Sequence, residues 1–231
     1  NGLNQSATNP GRLQAFGAPG YDALFSVYEG GYWNTDLKWT FTHAREGIWA
    51  QHARILFWVQ DRFAFVVDSM FRLPHQPDDP KSERPSYECV WQLAPCAEID
   101  LKPEQNRVEA QWKEAGLLML NPIRPRGSRY EVHRAETDPL RGWAPGEGQH
   151  HPAPQVVWNT PRMQERHDYY VTLLVPYAGT RAPEVEVEAK SPLGQLGYVR
   201  LRWGDGTVDE VHWGCNFNLM LGAQADFETV A

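Results

Sequence analysis

The chain has 231 residues, enough to bury an ordinary apolar core in one large all-β unit or two smaller ones. Its net charge of −7 argues against nucleic acid as a partner, because phosphate binding wants a basic footprint, and no apolar run is long enough to span a bilayer. An anionic polysaccharide stays compatible with that charge, since a local basic groove can act within an acidic protein.

The predicted elements are strands nearly throughout. DALFSVYEG alternates and ends at Gly30–Gly31. In TDLKWTFTHAREGIWAQHARILFWVQ, Leu37, Trp39 and Phe41 alternate against polar neighbours. RILFWV and FAFVVDSMF follow as a hairpin joined by Gln60, Asp61 and Arg62, with Asp61 suited to the turn. Residues 74–86, PHQPDDPKSERPS, hold four prolines and no periodicity, and read as an exposed loop facing a partner.

YECVWQLAP and AEIDLKP are the next strands. RVEAQWK and LLMLNPI form a pair about a turn at Glu114-Ala115-Gly116. SRYEVHRAE alternates, and RGWAPGEGQHHPAPQ is a Gly/Pro-rich loop. VVWNT and HDYYVTLLVPYAG return to strand; Tyr170 to Val175 is almost continuously apolar and is expected to be central. EVEVEAK has the alternation of a half-exposed strand. In YVRLRWGDGTVDEVHWG, Val199, Leu201 and Trp203 share a face, Gly204-Asp205-Gly206 turns the chain, and Val211 and Trp213 return.

Only LNPIRPRG and the tail LMLGAQADFETVA depart from this pattern, and no segment has a helical period. The expected fold class is all-β, an antiparallel multi-stranded β-sandwich with residues 1–231 in one unit. Both ends read as cut from a larger protein. Asn1-Gly2 is turn chemistry with nothing before it, and the chain stops soon after Cys215–Leu221 as if another strand should follow.

The ten tryptophans, with nine Tyr and nine Phe, serve either an aromatic core or a surface that stacks on sugars. Cys89, Cys96 and Cys215 are odd in number and have neither a disulfide framework nor a zinc spacing. His150 and His151 are adjacent, so in extended chain they point opposite ways and do not share an ion with His167. His43 and His52, across a turn at Gly47, would need a third ligand that the sequence does not supply. There is no nucleophile elbow, P-loop or dinucleotide fingerprint. Asp205 and Asp209 suit a turn better than a paired-carboxylate site.

Two groups of residues could meet an anionic substrate. His52 and Arg54 fall on one face of their strand with Leu56 and Trp58, while Ile55, Phe57 and Val59 fall on the other. They are either a substrate-facing pair, Arg for a carboxylate and His for proton transfer, or a polar strand end whose Arg pairs with a carboxylate on the next strand. The segment RPRGSRYEVHRAETDPLRG holds Arg124, Arg126, Arg129, Arg134 and Arg141 with His133, the one local excess of positive charge. It is either a groove wall for an anionic sugar or a solvated loop neutralised by Glu131, Glu136 and Asp138.

The order of motifs is similar to a known family. Alternating strands followed by QHARILFWVQDRFAFVVD, YECVWQLAP, GWAPGEGQHHPAPQVVW, YYVTLLVPY and WGDGTVDEVHWG together resemble the heparinase II/III-like C-terminal region of polysaccharide lyases, over most of the chain from about Tyr21 to Trp213. The resemblance implies an upstream (α/α) toroid before the β-sandwich and β-elimination on uronate-containing chains such as heparin-like glycosaminoglycans or alginate. There a base removes the C5 proton, and neutralising the carboxylate acidifies it. It also implies zinc in the full-length parent and a periplasmic or extracellular location. The histidine stretches that carry the family's base and zinc have no counterpart here, so no catalytic or metal residue is carried over and this chain alone is expected to be inactive, with no cofactor of its own. His52, Arg54, Arg124, Arg126, Arg129 and His133 stand as groove-lining candidates. The rival reading is a stand-alone carbohydrate-binding or structural sandwich.

Overall fold

Strand alternation builds the central layer of the protein. The computed structural model describes residues 3–5, 12–28, 32–34, 50–72, 86–95, 97–146, 148–160, 167–190, 196–214 and 227–230. The proline-rich stretch 74–85, His43, Cys96, Cys215 and the Asn1-Gly2 turn lie outside them.

Eight antiparallel strands form the central sheet. From one edge to the other they are Arg12–Ala18, Tyr21–Tyr28, Ala50–Val59, Phe63–Arg72, His167–Ala178, Ala115–Ile123, Arg107–Trp112 and Glu98–Lys102. The His167–Ala178 strand enters between two hairpins, pairing with Phe63–Arg72 on one side and Ala115–Ile123 on the other. That central place explains its nearly continuous apolar run.

Each face of this sheet carries its own core. Along the inserted strand, Tyr169, Val171, Leu173 and Val175 belong to one apolar cluster, and Tyr170 and Leu174 to another. Side chains alternate across a strand, so the clusters lie on opposite faces. The first is closed by a four-stranded sheet, Val185–Lys190, Leu196–Trp203, Val208–Gly214 and Phe227–Val230, which contributes Val199, Leu201, Val211 and Trp213. The second is closed by a three-stranded sheet, Arg129–His133, Gln155–Thr160 and Tyr87–Gln92, in that spatial order, which contributes Cys89, Val156 and Trp158. The fold is an all-β antiparallel sandwich with a smaller sheet on each side of the large one.

Some boundaries differ from the sequence reading. LNPI extends the Ala115–Ile123 strand instead of leaving it, with a register shift between Leu120 and Ile123 that accommodates Pro122. The turn before it falls at Lys113–Glu114, one residue early, because Ala115 pairs with Trp112. In the tail, Phe227–Val230 is a strand that pairs with Glu210–Trp213. The Gly/Pro-rich loop contains a two-stranded ribbon, Trp143–Pro145 with His150–Pro152.

Candidate functional site

The hairpin of Ala50–Val59 and Phe63–Arg72 sets the geometry around His52 and Arg54. Asp61 takes a left-handed φ of 60°, and Arg62 N–H donates to Val59 C=O at 3.2 Å. That turn fixes the register, which places Arg54 directly opposite Asp68. Ala53, Ile55 and Phe57 sink into the core with the four-stranded sheet, leaving His52 and Arg54 on the face shared with Cys89 and Trp91.

Asp68 is the hub of this site. It is 3% exposed, and charge at that depth must be compensated. Arg54 donates from Nε to Oδ1 at 2.6 Å and from Nη2 to Oδ2 at 3.0 Å, while His52 Nε2 lies 2.8 Å from Oδ1. The Cys89 thiol approaches Oδ2 at 3.4 Å, and the Arg54 guanidinium lies 5.6 Å from the Trp91 ring centre. Burial by itself would raise the Asp68 carboxyl, but the hydrogen bonds and charges of His52 and Arg54 outweigh it and hold the group below its ordinary value. Burial, and then the Asp68 charge, push the Cys89 thiol well up, so it is no activated nucleophile.

The opposite face of the same strand pair holds a different polar set. Ser69 Oγ lies 2.6 Å from His167 Nε2, and the Tyr169 hydroxyl lies 3.1 Å from His167 Nδ1. Burial lowers the His167 pKa to about 4, which keeps the ring neutral at physiological pH. Asp68 and Ser69 are consecutive, so the two sets are separated by the sheet itself.

The arginine-rich segment divides into engaged and open members. Arg124 Nη1 donates to Ser128 C=O at 2.9 Å and its guanidinium lies 5.2 Å from the Tyr130 ring centre. His133 sits between Glu136 at 2.8 Å and Glu131 at 3.2 Å, with Arg141 Nη1 at 3.1 Å. Arg141 also donates to both carboxylate oxygens of Glu88, at 3.0 and 3.1 Å. Arg134 donates to Ala97 C=O. Arg126 and Arg129 are exposed and form no ion pair with any described residue. The fold does not gather all six candidates. Arg54 reaches the Tyr87–Gln92 edge of the three-stranded sheet, and Arg129 and His133 lie on its other edge strand.

Arg54 pairs with a carboxylate on the next strand, as one of its two sequence readings has it, and that carboxylate is Asp68; the contacts of Asp68 with His52 and of Ser69 with His167 have no counterpart in the sequence reading. A signal for the choice of Asp68 existed. Once the turn is centred on Asp61, paired residue numbers in the hairpin have a constant sum, and 54 pairs with 68 as 59 pairs with 63. The zinc that the resemblance implies finds no fit here: among the described residues no three His, Cys, Asp or Glu side chains converge to hold a metal. Nor, among them, is any helix long and apolar enough to cross a membrane.

Comparison with solved structures gives the fold a precedent. A heparinase III, the BT4657 gene product, superposes with a TM-score of 0.63 at 13% identity, over 88% of this chain and 27% of that one. The heparan sulfate lyase HepC from Pedobacter heparinus superposes with a TM-score of 0.63 at 12% identity, over 95% of this chain and 28% of that one. This is a heparinase III-like fold. A further heparinase III structure gives a TM-score of 0.61 at 10% identity. The chain spans little more than a quarter of the length of these heparinase III-like structures. No family model matches the sequence, and no curated protein does.

Proposed function

We propose that the chain is the β-sandwich portion of a polysaccharide lyase that cleaves a uronate-containing polysaccharide by β-elimination. Its fold carries the reading: almost the whole chain superposes on part of a heparan sulfate lyase. In this role the sandwich walls the substrate groove and braces the catalytic toroid, and the parent enzyme works in the periplasm or outside the cell, with zinc, if it holds any, bound by residues of the parent outside this chain.

The six candidates then have different tasks. Arg126 and Arg129, exposed and without an ion pair to any described residue, supply positive charge to the anionic chain, and Arg124 stands beside them against the Tyr130 ring. His52 and Arg54 brace the sheet through Asp68, and His133 is tied to its own glutamates. For docking, Leu13, Leu24 and Trp58 share the Arg54 face of the central sheet and are 67%, 39% and 45% exposed. An apolar patch of that kind suits contact with the toroid of the same polypeptide.

The test is binding and turnover with the purified chain. It should bind heparan sulfate or a polyuronate in a salt-sensitive way and release no ultraviolet-absorbing unsaturated uronate. Absence of binding to every uronate polymer would sink the groove role, and turnover would sink the claim that this portion is inactive alone.

A further inference from the structure

We propose that a cleft at one end of the sandwich, walled by Trp203 and Tyr177, binds a neutral sugar ring. The cleft has a volume of about 460 Å³ and opens between the turn at Asp61–Arg62, the end of the inserted strand at Pro176–Tyr177, and the turn that follows Trp203. It draws on the central and the four-stranded sheets together, and is distinct from the Asp68 hub and from the arginine-rich segment.

Its aromatic walls are held in place before any ligand arrives. Asp209 accepts from Trp203 Nε1 at 2.6 Å and from Arg62 Nη1 at 2.5 Å, so one carboxylate orients both side chains. The Arg62 guanidinium lies 5.4 Å from the Trp203 ring centre, and Phe63 packs at 5.9 Å. On the other side, Tyr177 donates its hydroxyl to Gln111 Oε1 at 2.9 Å. Its ring occupies the space above Gly116, where an added Cβ would come within 2.1 Å of Tyr177 Cζ. Walls fixed in this way lose little freedom on binding.

The polar groups of the cleft decide the ligand's charge. Asp61, Glu184 and Asp205 line it, and Arg62 is the one cation among the described lining residues, already neutralised by Asp209. Asp61 makes no hydrogen bond or ion pair with any described side chain. Glu184 uses Oε1 for Arg181, and Asp205 uses Oδ1 for the backbone and hydroxyl of Thr207, which leaves each a second oxygen. Carboxylates are acceptors only, so they suit a ligand rich in hydroxyl donors and repel sulfate or uronate. Aromatic walls with a few acceptors along the lining match a sugar ring, whose C–H face packs on an aromatic side chain while its hydroxyls bond outward.

Calorimetry of the chain against hexasaccharides of glucose, xylose, mannose and galactose tests this, with a heparan sulfate hexasaccharide and choline as the anionic and cationic comparisons. At least one neutral hexasaccharide should bind. The double variant Asp61→Asn, Glu184→Gln should weaken that binding by at least about tenfold with an unchanged melting temperature. Both positions are exposed, and Asn tolerates the left-handed conformation of Asp61. Trp203→Ala should abolish the binding, and Arg126→Ala with Arg129→Ala should leave it unchanged, which separates this cleft from the proposed groove. The inference falls if no neutral hexasaccharide binds, if the double variant binds as tightly as the parent, or if only choline or the sulfated chain binds at the cleft.

Discussion

Arg54 and Asp68 stand opposite one another on adjacent strands, and the guanidinium grips the buried carboxylate with two hydrogen bonds of 2.6 and 3.0 Å. His52 adds a third contact to the same carboxylate, so one acidic group orders two basic ones. Removing it takes from the guanidinium and the imidazole the carboxylate they share in a partly buried site. Asp68→Ala should therefore destabilise the chain by about 2–4 kcal/mol in urea unfolding, tempered by the partial solvent access of Arg54. Because Asp68 titrates below its ordinary value when folded, its stabilisation is present above the unfolded value, near 3.8, and fades as pH falls through the lower folded one. The gap between wild type and Asp68→Asn should narrow only in that acidic window.

His167 gives a second pH dependence at higher pH. Its folded pKa is depressed from 6.5 to about 4, so the unfolded chain binds the proton first as pH falls. Stability should drop between pH 6.5 and 4 and should be fully present above that range. His167→Gln should flatten this part of a urea-midpoint profile, and an unchanged slope would show that the ring is not the titrating group.

Gly142 is expected to tolerate no side chain. Its φ is +71°, and a Cβ would come within 2.4 Å of the Arg134 backbone, which has no room to yield. Its carbonyl also accepts from the amides of Ala135 and Ala153, which ties the arginine-rich segment to the chain just before the Gln155–Thr160 strand. Gly142→Ala should lower stability by about 2–4 kcal/mol in chemical denaturation. It should also raise the hydrogen exchange of Ala135 and Ala153.

Arg126 and Arg129 offer the opposite case. They are exposed and unpaired with any described residue, so replacing both by Ala should change unfolding free energy by no more than about 0.5 kcal/mol. Affinity for heparan sulfate should fall and its salt dependence should flatten, measured by binding at a series of ionic strengths. An unchanged affinity would remove them from the groove.

Much of this protein was legible along the chain because a strand's two faces are written in neighbouring residues. Ile55 and Phe57 against Arg54, and Leu201 against Arg202, announce inside and outside without any long-range information. The turns at Asp61 and at Gly204-Asp205-Gly206 are equally local, since a left-handed residue or an Asp bonding two residues on is chosen by its own chemistry. What alternation alone cannot state is which strand lies beside which. The insertion of His167–Ala178 between two hairpins depends on pairing across nearly a hundred residues, and it brings His167 to Ser69. Tertiary structure also decided which arginines are engaged, because an ion pair depends on distance and not on composition. The cleft is a product of it as well: Asp61, Tyr177 and Trp203 come from three separate strand ends and meet only when the two sheets pack.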